Sequence, residues 1–474
     1  MYKAGPLLLA SLLPVPALAQ AGDDERDAKI ARLEQTVAEL TRRLQALESG
    51  RGGQSPPPVE AAAAPVAPWR EPPAAATGRE PASLAVAPAE SPLPDRPSMD
   101  EDADVAARAD NVLPPGQEGL EGYFPIRGTS TWMRISGYAK LDAMFDSDDA
   151  GDPDLFVTSA IPVGAQDGRG AFNMHARQTR LTLDVRRPTA YGWLRFVLQN
   201  DFFGSGGSYG YRLRNAYGQL GNTYAGYGFS AFMDLDSTPD TLDFAGAGSM
   251  PSARLASVRR YFPLRGGHQL FVAAEHNPPE LTGPAGSEAR TTVPNLVFGY
   301  RHESERAHLQ ATGLLRHIAY DSATASDGTS GGGLTVSGSL ETGGDGFLVY
   351  GALAGRGIAA YTGDLAGLGL DAVIDGDGSI ALLDEWGGWV GYTHAWTPAW
   401  RSTLAWGRLY LEHSGLLDPS AFHRSDYVAA NLVYSPLPSW SWGVEVLYGR
   451  LQLQDASSGD VFRLQTSLKY DFIK

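Results

Sequence analysis

The chain has 474 residues, 56 glycines, no cysteine and a formal charge of −16. That length admits one large domain or several small ones, and the glycine content with 10% aromatic residues leans toward β structure. The acidic balance argues against a nucleic-acid binder.

Residues 1–19 read as a secretory signal. Lys3 supplies a positive start, Pro6 to Val15 an apolar core too short to span a membrane as a helix, and Ala17-Leu18-Ala19 a small-residue cleavage pattern. Residues 20–48 hold a heptad: Ile30, Leu33, Val37, Leu40, Leu44 and Leu47 follow 3-4 spacing, so they share one helical seam. Lys29 with Glu34 and Arg43 with Glu48 suit opposite-charge pairing between parallel neighbours. A periplasmic coiled coil is expected, of an order the seam does not decide; a single amphipathic helix on a core is the alternative. Residues 49–118 are rich in proline and alanine and read as an extended linker.

From about Arg134 the pattern changes. In Val461 to Phe472, the side chains of Phe462, Leu464, Thr466, Leu468, Tyr470 and Phe472 alternate with Arg463, Gln465, Ser467, Lys469 and Asp471. A soluble antiparallel sheet could show this once. Repeated in many segments, with charge on one face and almost none on the other, it describes a strand with lipid outside and water inside. Connections alternate between short and long, and aromatics flank the short ones: Tyr191 and Trp193, Tyr224 and Tyr227, Tyr261 and Phe262, Trp396 and Trp400, Tyr434 with Trp440 and Trp442. They are expected to form an interfacial girdle. Residues 119–474 are thus expected to form an all-β transmembrane barrel, antiparallel, of about sixteen strands, the fifth running over 223–234. No sixteen-strand barrel shows as an apolar run of eighteen residues, because only alternate residues face lipid.

The segments GYAKLDAMFD, GDPDLFVTSAIPV, FNMHARQTRLTLDVRRPT, LRFVLQNDFFG and FMDLDSTPDTLDFAG, in this order, resemble the DcaP-like porins of Gram-negative outer membranes. The resemblance runs from about Gly137 to the C-terminus and is strongest up to Gly246. It implies a homotrimer in the outer membrane, with the N-terminal segment in the periplasm, taking up small anionic solutes such as aromatic or dicarboxylic acids. Expected partners are further copies of the chain, outer-membrane lipid and lipopolysaccharide, small anionic solutes, and the cell wall through the N-terminal region. In one departure, Ile473 and Lys474 follow Phe472, where outer-membrane barrels commonly end on phenylalanine.

The stretch FMDLDSTPDTLDFAG places Asp234, Asp236, Asp240 and Asp243 in the third long loop, which in trimeric porins generally folds inward. These four are expected at the constriction. Alternation aims Arg180, Arg186, Arg195, Arg212, Arg214 and Arg259 at the lumen, since guanidiniums in lipid are costly, and Lys140 and Arg316 join them. Arg254 lies near the loop end with its face undecided. An arginine ladder facing an acidic loop would set a transverse field and guide carboxylates, which guanidiniums bind bidentately. Mutual neutralisation of the two sets would instead leave a weakly selective general porin. A trimeric tether or surface receptor is the other alternative.

Catalysis is not expected. The histidines are scattered without HExxH, and His413, Ser414 and Asp418 are neighbours in sequence rather than a triad. No cofactor or metal is expected; the acidic loop lacks the glycine and terminal glutamate of an EF-hand.

Overall fold

A computed structural model describes residue 120 and residues 122–473, apart from 165–167, 206–208 and 324. The expected signal peptide, coiled coil and linker lie outside the described residues. Sixteen strands follow one another: β1 (Trp132–Asp146), β2 (Ala171–His175 continued by Arg180–Thr189), β3 (Gly192–Gly204), β4 (Gly210–Leu220), β5 (Thr223–Phe229), β6 (Arg254–Pro263), β7 (His268–His276), β8 (Asn295–Glu303), β9 (Ala307–Asp321), β10 (Ser326–Glu341), β11 (Gly346–Arg356), β12 (Asp384–Thr397), β13 (Trp400–Leu411), β14 (Phe422–Leu437), β15 (Trp440–Leu453) and β16 (Ser458–Ile473). Each pairs antiparallel with the next, and β16 pairs back onto β1, from Asp146 opposite Arg463 to Gly137 opposite Ile473. Closure satisfies every strand's backbone groups within the sheet, which a lipid surround demands.

Burial follows the alternation. On β16, Phe462, Leu464, Leu468, Tyr470 and Phe472 are exposed on the outer surface, while Arg463, Gln465, Ser467, Lys469 and Asp471 are at most 3% exposed inside. The outer surface of β1 to β3 carries Ile135, Leu141, Phe145, Leu181, Leu194 and Phe196. Charge turned inward and hydrocarbon turned outward is the reverse of a soluble protein.

The short connections hold the expected girdle at Tyr191, Phe262, Trp396 and Trp400, with Trp400 stacked 4.5 Å from Tyr434 and Tyr434 6.3 Å from Trp440. Tyr224 and Tyr261 do not belong to it. They are buried inside the barrel, because Tyr224 pairs in register with inward-facing Arg259, whose guanidinium lies 4.7 Å from its ring centroid. Guanidinium–ring stacking keeps a buried cation in favourable surroundings.

β2 breaks between His175 and Arg180, where Lys140 of β1 donates its backbone N–H to Thr179 Oγ1. The register irregularity at Gly137 sits beside this break; its φ is +143°, and a Cβ there would lie 2.1 Å from the Arg180 carbonyl oxygen. β5 ends at Phe229 rather than 234. Glu275, on the inner face of β7, draws the chain inward: its carboxylate accepts from Ser230 Oγ and from the Ala231 N–H, both at 2.7 Å.

Three long loops fold into the barrel at the end opposite the short turns. The loop before β2 buries Phe156 and Ile161. The loop after β11 buries Ile358, Tyr361 and Leu365, and its Ala372–Ile374 and Ile380–Leu382 form a three-stranded sheet with Leu281–Thr282. Asp364 in that loop accepts from Thr158 and from Ser425 Oγ (2.6 Å), tying two loops to β14. Burial pushes the Asp364 carboxyl above its ordinary range.

Candidate functional site

The loop from Ser230 to Ala253 crosses the lumen along the far wall. Its first anchor is Asp234, whose carboxylate meets Arg301 of β8 (3.3 Å), His308 of β9 (2.8 Å) and Ser337 of β10 (2.7 Å). Asp236 lies 2.5 Å from the same guanidinium. Next, Trp389 of β12 donates its indole N–H to the Ser237 carbonyl at 3.0 Å. Asp240 binds Arg401 of β13 at 2.6 Å, and its carbonyl accepts from Asn431 of β14. Glu445 of β15 accepts the backbone N–H groups of Leu242 and Asp243. The Leu242 carbonyl accepts from Lys140 Nζ at 2.7 Å and Gln465 Nε2 at 3.1 Å. Finally Phe244 stacks on Phe203 of β3 at 4.9 Å, with the guanidiniums of Arg212 and Arg214 at 5.3 and 5.0 Å from its ring. So the loop is bonded to β8, β9, β10, β12 to β16 and β1, packs Phe244 over β3 and β4, and returns through Ser249, whose Oγ donates to the Gly388 carbonyl of β12.

The four aspartates do not share one environment. Burial opposes the charge of Asp234, yet His308 and Arg301 outweigh it and hold the carboxyl below its ordinary range. Asp243 accepts from the Ala245 and Gly246 N–H groups and from Tyr427, and burial pushes it up. Asp236 and Asp240 sit in ion pairs. Ligand atoms of Asp234, Asp236 and His308 fall within 4.8 Å of one another, a spacing that suits a cation; Arg301 already supplies that positive charge.

The expected arginines lie on the inner face, each with partners on the wall. Arg195 and Arg186 bind Asp184 of β2 at 2.9 and 3.2 Å. Arg212 and Arg214 bind Asp201 of β3 at 2.6 and 2.8 Å. Arg180 stacks 5.2 Å from the Tyr138 ring centroid. Arg259 donates to Ser257 Oγ and to the Phe229 carbonyl. Arg316 is committed to the loop after β11, bonding Asp371 (2.8 Å) and the Gly357 carbonyl (3.0 Å). Of the eight expected cations, Lys140 has a hydrogen bond to the acidic loop, at the Leu242 carbonyl.

The loop's charged anchors are therefore Arg301, His308, Arg401, Glu445 and Glu275, outside the expected set, together with Lys140, which is within it. The same alternation finds the two arginines: Leu296, Phe298 and Tyr300 alternate with Val297 and Arg301, and Leu404 and Trp406 alternate with Arg401, Thr403 and Ala405. Below the loop, toward the short turns, an open cavity is bordered by Tyr217, Tyr224, Tyr261, Phe271, Arg259 and Arg301.

A closed inward-polar barrel with a loop bound across its lumen is a channel architecture. The family described as DcaP outer membrane protein matches residues 121–472. The crystal structure of the outer membrane channel DcaP of Acinetobacter baumannii is similar at 25% identity and a TM-score of 0.66, covering 74% of this chain and 99% of that one. An anion-selective porin from Comamonas acidovorans is similar at 12% identity and a TM-score of 0.48, covering 72% of this chain and 100% of that one. A search of curated protein sequences gave no match. The chain belongs to the DcaP outer membrane protein family and is an outer-membrane porin.

Proposed function

We propose that this porin is a passive diffusion channel for small hydrophilic solutes with a preference for carboxylates, and that it works as a homotrimer. The observation that carries the preference is the charge on the inner face of β2 to β4. Arg186 and Arg195 share the carboxylate of Asp184 there, and Arg212 and Arg214 share that of Asp201, two guanidiniums to each carboxylate. Across the lumen, Asp234, Asp236 and Asp240 are occupied by Arg301, His308 and Arg401. The acidic loop therefore offers little free negative charge to cancel the arginine wall. Fixed charge in a confined, low-dielectric passage raises the local concentration of counter-ions. Arg212, with 32% of its side chain exposed, is placed to exchange part of its bond to Asp201 for a solute carboxylate.

The test is the reversal potential of the purified protein in a planar bilayer under a KCl gradient. Anion selectivity that falls in Arg186→Gln with Arg212→Gln supports the reading. Cation-selective or indifferent conductance that the substitutions leave unchanged leaves a general porin.

A further inference from the structure

At the short-turn end, β16 does not close the whole edge of the first strand. The pairing of β16 with β1 stops at Gly137 opposite Ile473. Trp132 to Ser136 run on beyond it, bound to β2 on one side. A strap, residues 122–131, folds back over the other side. Phe124 pairs antiparallel with Met133, and Pro125 with Trp132. The Ile126 N–H donates to the Thr131 carbonyl at 2.9 Å across a turn at Gly128, whose φ is +78°. All of the chain before residue 122 joins the barrel through this strap.

Alternation along the strap turns Phe124 outward, where it is exposed, and Tyr123 inward. The Tyr123 ring centroid lies 5.3 Å from the guanidinium of Arg134 and 5.0 Å from that of Arg186. Arg134 pairs in register with Asp184, and Trp132 with Arg186, so the two arginines are diagonal neighbours on the inner face. Asp184 is already shared by Arg186 and Arg195, and Arg134 Nε is buried without a hydrogen-bond partner. Three guanidiniums thus stand around one carboxylate, and the ring covers two of them. The face of an aromatic ring attracts a cation, so the seated tyrosine satisfies part of that charge and fills the space where an anion would meet it. The seat is lightly held. The strap pairs with β1 over two residues, and Pro125 has no N–H to give.

We propose that Tyr123 is a specificity-determining gate at this mouth, carried on a strap that docks and undocks. Docked, its ring covers Arg134 and Arg186 and narrows the passage. Undocked, it leaves both guanidiniums to carboxylates moving past, which they bind through paired N–H donors. The inference rests on the channel reading above and adds the residue that decides when the arginine wall is open at its short-turn end.

The experiment uses the full-length protein in planar bilayers. The chain has no cysteine, so Phe124→Cys with Met133→Cys places a single disulfide between directly opposed residues and locks the strap down. The locked channel should conduct less than the wild type, and reductant should restore it. Tyr123→Ala should raise conductance and shift the anion-to-cation permeability ratio at least about twofold toward anions relative to the wild type. Tyr123→Phe keeps the ring and should match the wild type. Adding Arg134→Gln to Tyr123→Ala should cancel most of the shift, which separates uncovered charge from widening alone. Heat-modifiable gel mobility shows that each variant is folded. Because the shift is measured against the wild type, a wild type without anion preference sinks the carboxylate reading and leaves this test intact. An unchanged permeability ratio in folded Tyr123→Ala, or a conductance of the oxidised cysteine pair that ignores reductant, overturns the proposal.

Discussion

The guanidinium of Arg401, on β13, lies 2.6 Å from the carboxylate of Asp240, 161 residues earlier in the chain. This pair holds the middle of the lumen loop, as Arg301 holds its start. Removing one partner leaves the other without its charge-assisted bond, a loss of roughly 1–3 kcal/mol for groups this secluded. Arg401→Ala with Arg301→Ala should therefore release the loop while the barrel stays closed. Single-channel recording should show larger and noisier conductance than the wild type. Identical traces would mean that Trp389 and Glu445 suffice to seat the loop.

Phe244 fills the space beside Arg212 and Arg214. Phe244→Ala should raise conductance while preserving anion preference, because it widens the passage without altering charge. Arg212→Gln should lower the preference with little change in conductance. The two substitutions separate size from charge, and reversal potentials at fixed ionic strength measure the second.

Acid should not unseat the loop until well below the usual range. The Asp234 carboxyl is held below its ordinary value of 3.8 against burial by His308 and Arg301. Its stabilising contribution is full above 3.8 and is lost only as the pH falls through the lower, folded value. Asp243 acts in the opposite sense. Burial raises it, so its stabilisation is fullest below 3.8 and shrinks as pH rises toward the raised value. Asp243→Asn should therefore flatten the dependence of conductance noise on pH between about pH 7 and about pH 4.5. In Asp234→Asn, noise should be elevated across that range.

Arg316 has Asp371 as its ion-pair partner, and both side chains are fully buried. Arg316→Ala leaves a carboxylate enclosed without its cation, a local loss of about 3–5 kcal/mol. The loop after β11 should become sensitive to protease added outside cells, with barrel heat-modifiability unchanged. Arg316→Ala with Asp371→Asn should recover part of the protection.

Gly137 tests the break in β2. Its φ of +143° and the 2.1 Å approach of the Arg180 carbonyl leave no room for a Cβ. Gly137→Val should lower the yield of folded barrel severely, and Gly137→Ala less so, in a refolding assay read by gel mobility.

The barrel was legible because a strand's two faces meet two different solvents. Each strand therefore repeats the same message, and sixteen repeats outweigh local errors at the ends. The arginine wall was legible for the same reason: Arg195 and Arg214 alternate with Leu194 and Leu213. The loop's anchors were not, because pairing across a lumen depends on which distant strands curve together. Nothing in the sequence links Asp240 to Arg401 or Asp243 to Glu445. Tyr224 and Tyr261 misled for a related reason. A tyrosine beside a short turn can lie on either face, and only the neighbouring guanidinium decides.

Asp146 and Arg463 meet through two hydrogen bonds, 2.6 and 2.8 Å, between the first strand and the last. They are 317 positions apart. Until the final hairpin arrives, β1 and the growing sheet both present open edges, and no intermediate along the way is a finished membrane protein. A ribosome that stalls near the end, or a protease that clips the last strand, yields fifteen strands with two unsatisfied margins rather than a slightly smaller channel. Completion is thus all-or-none, and the arginine of the last strand is the group that greets the aspartate waiting on the first.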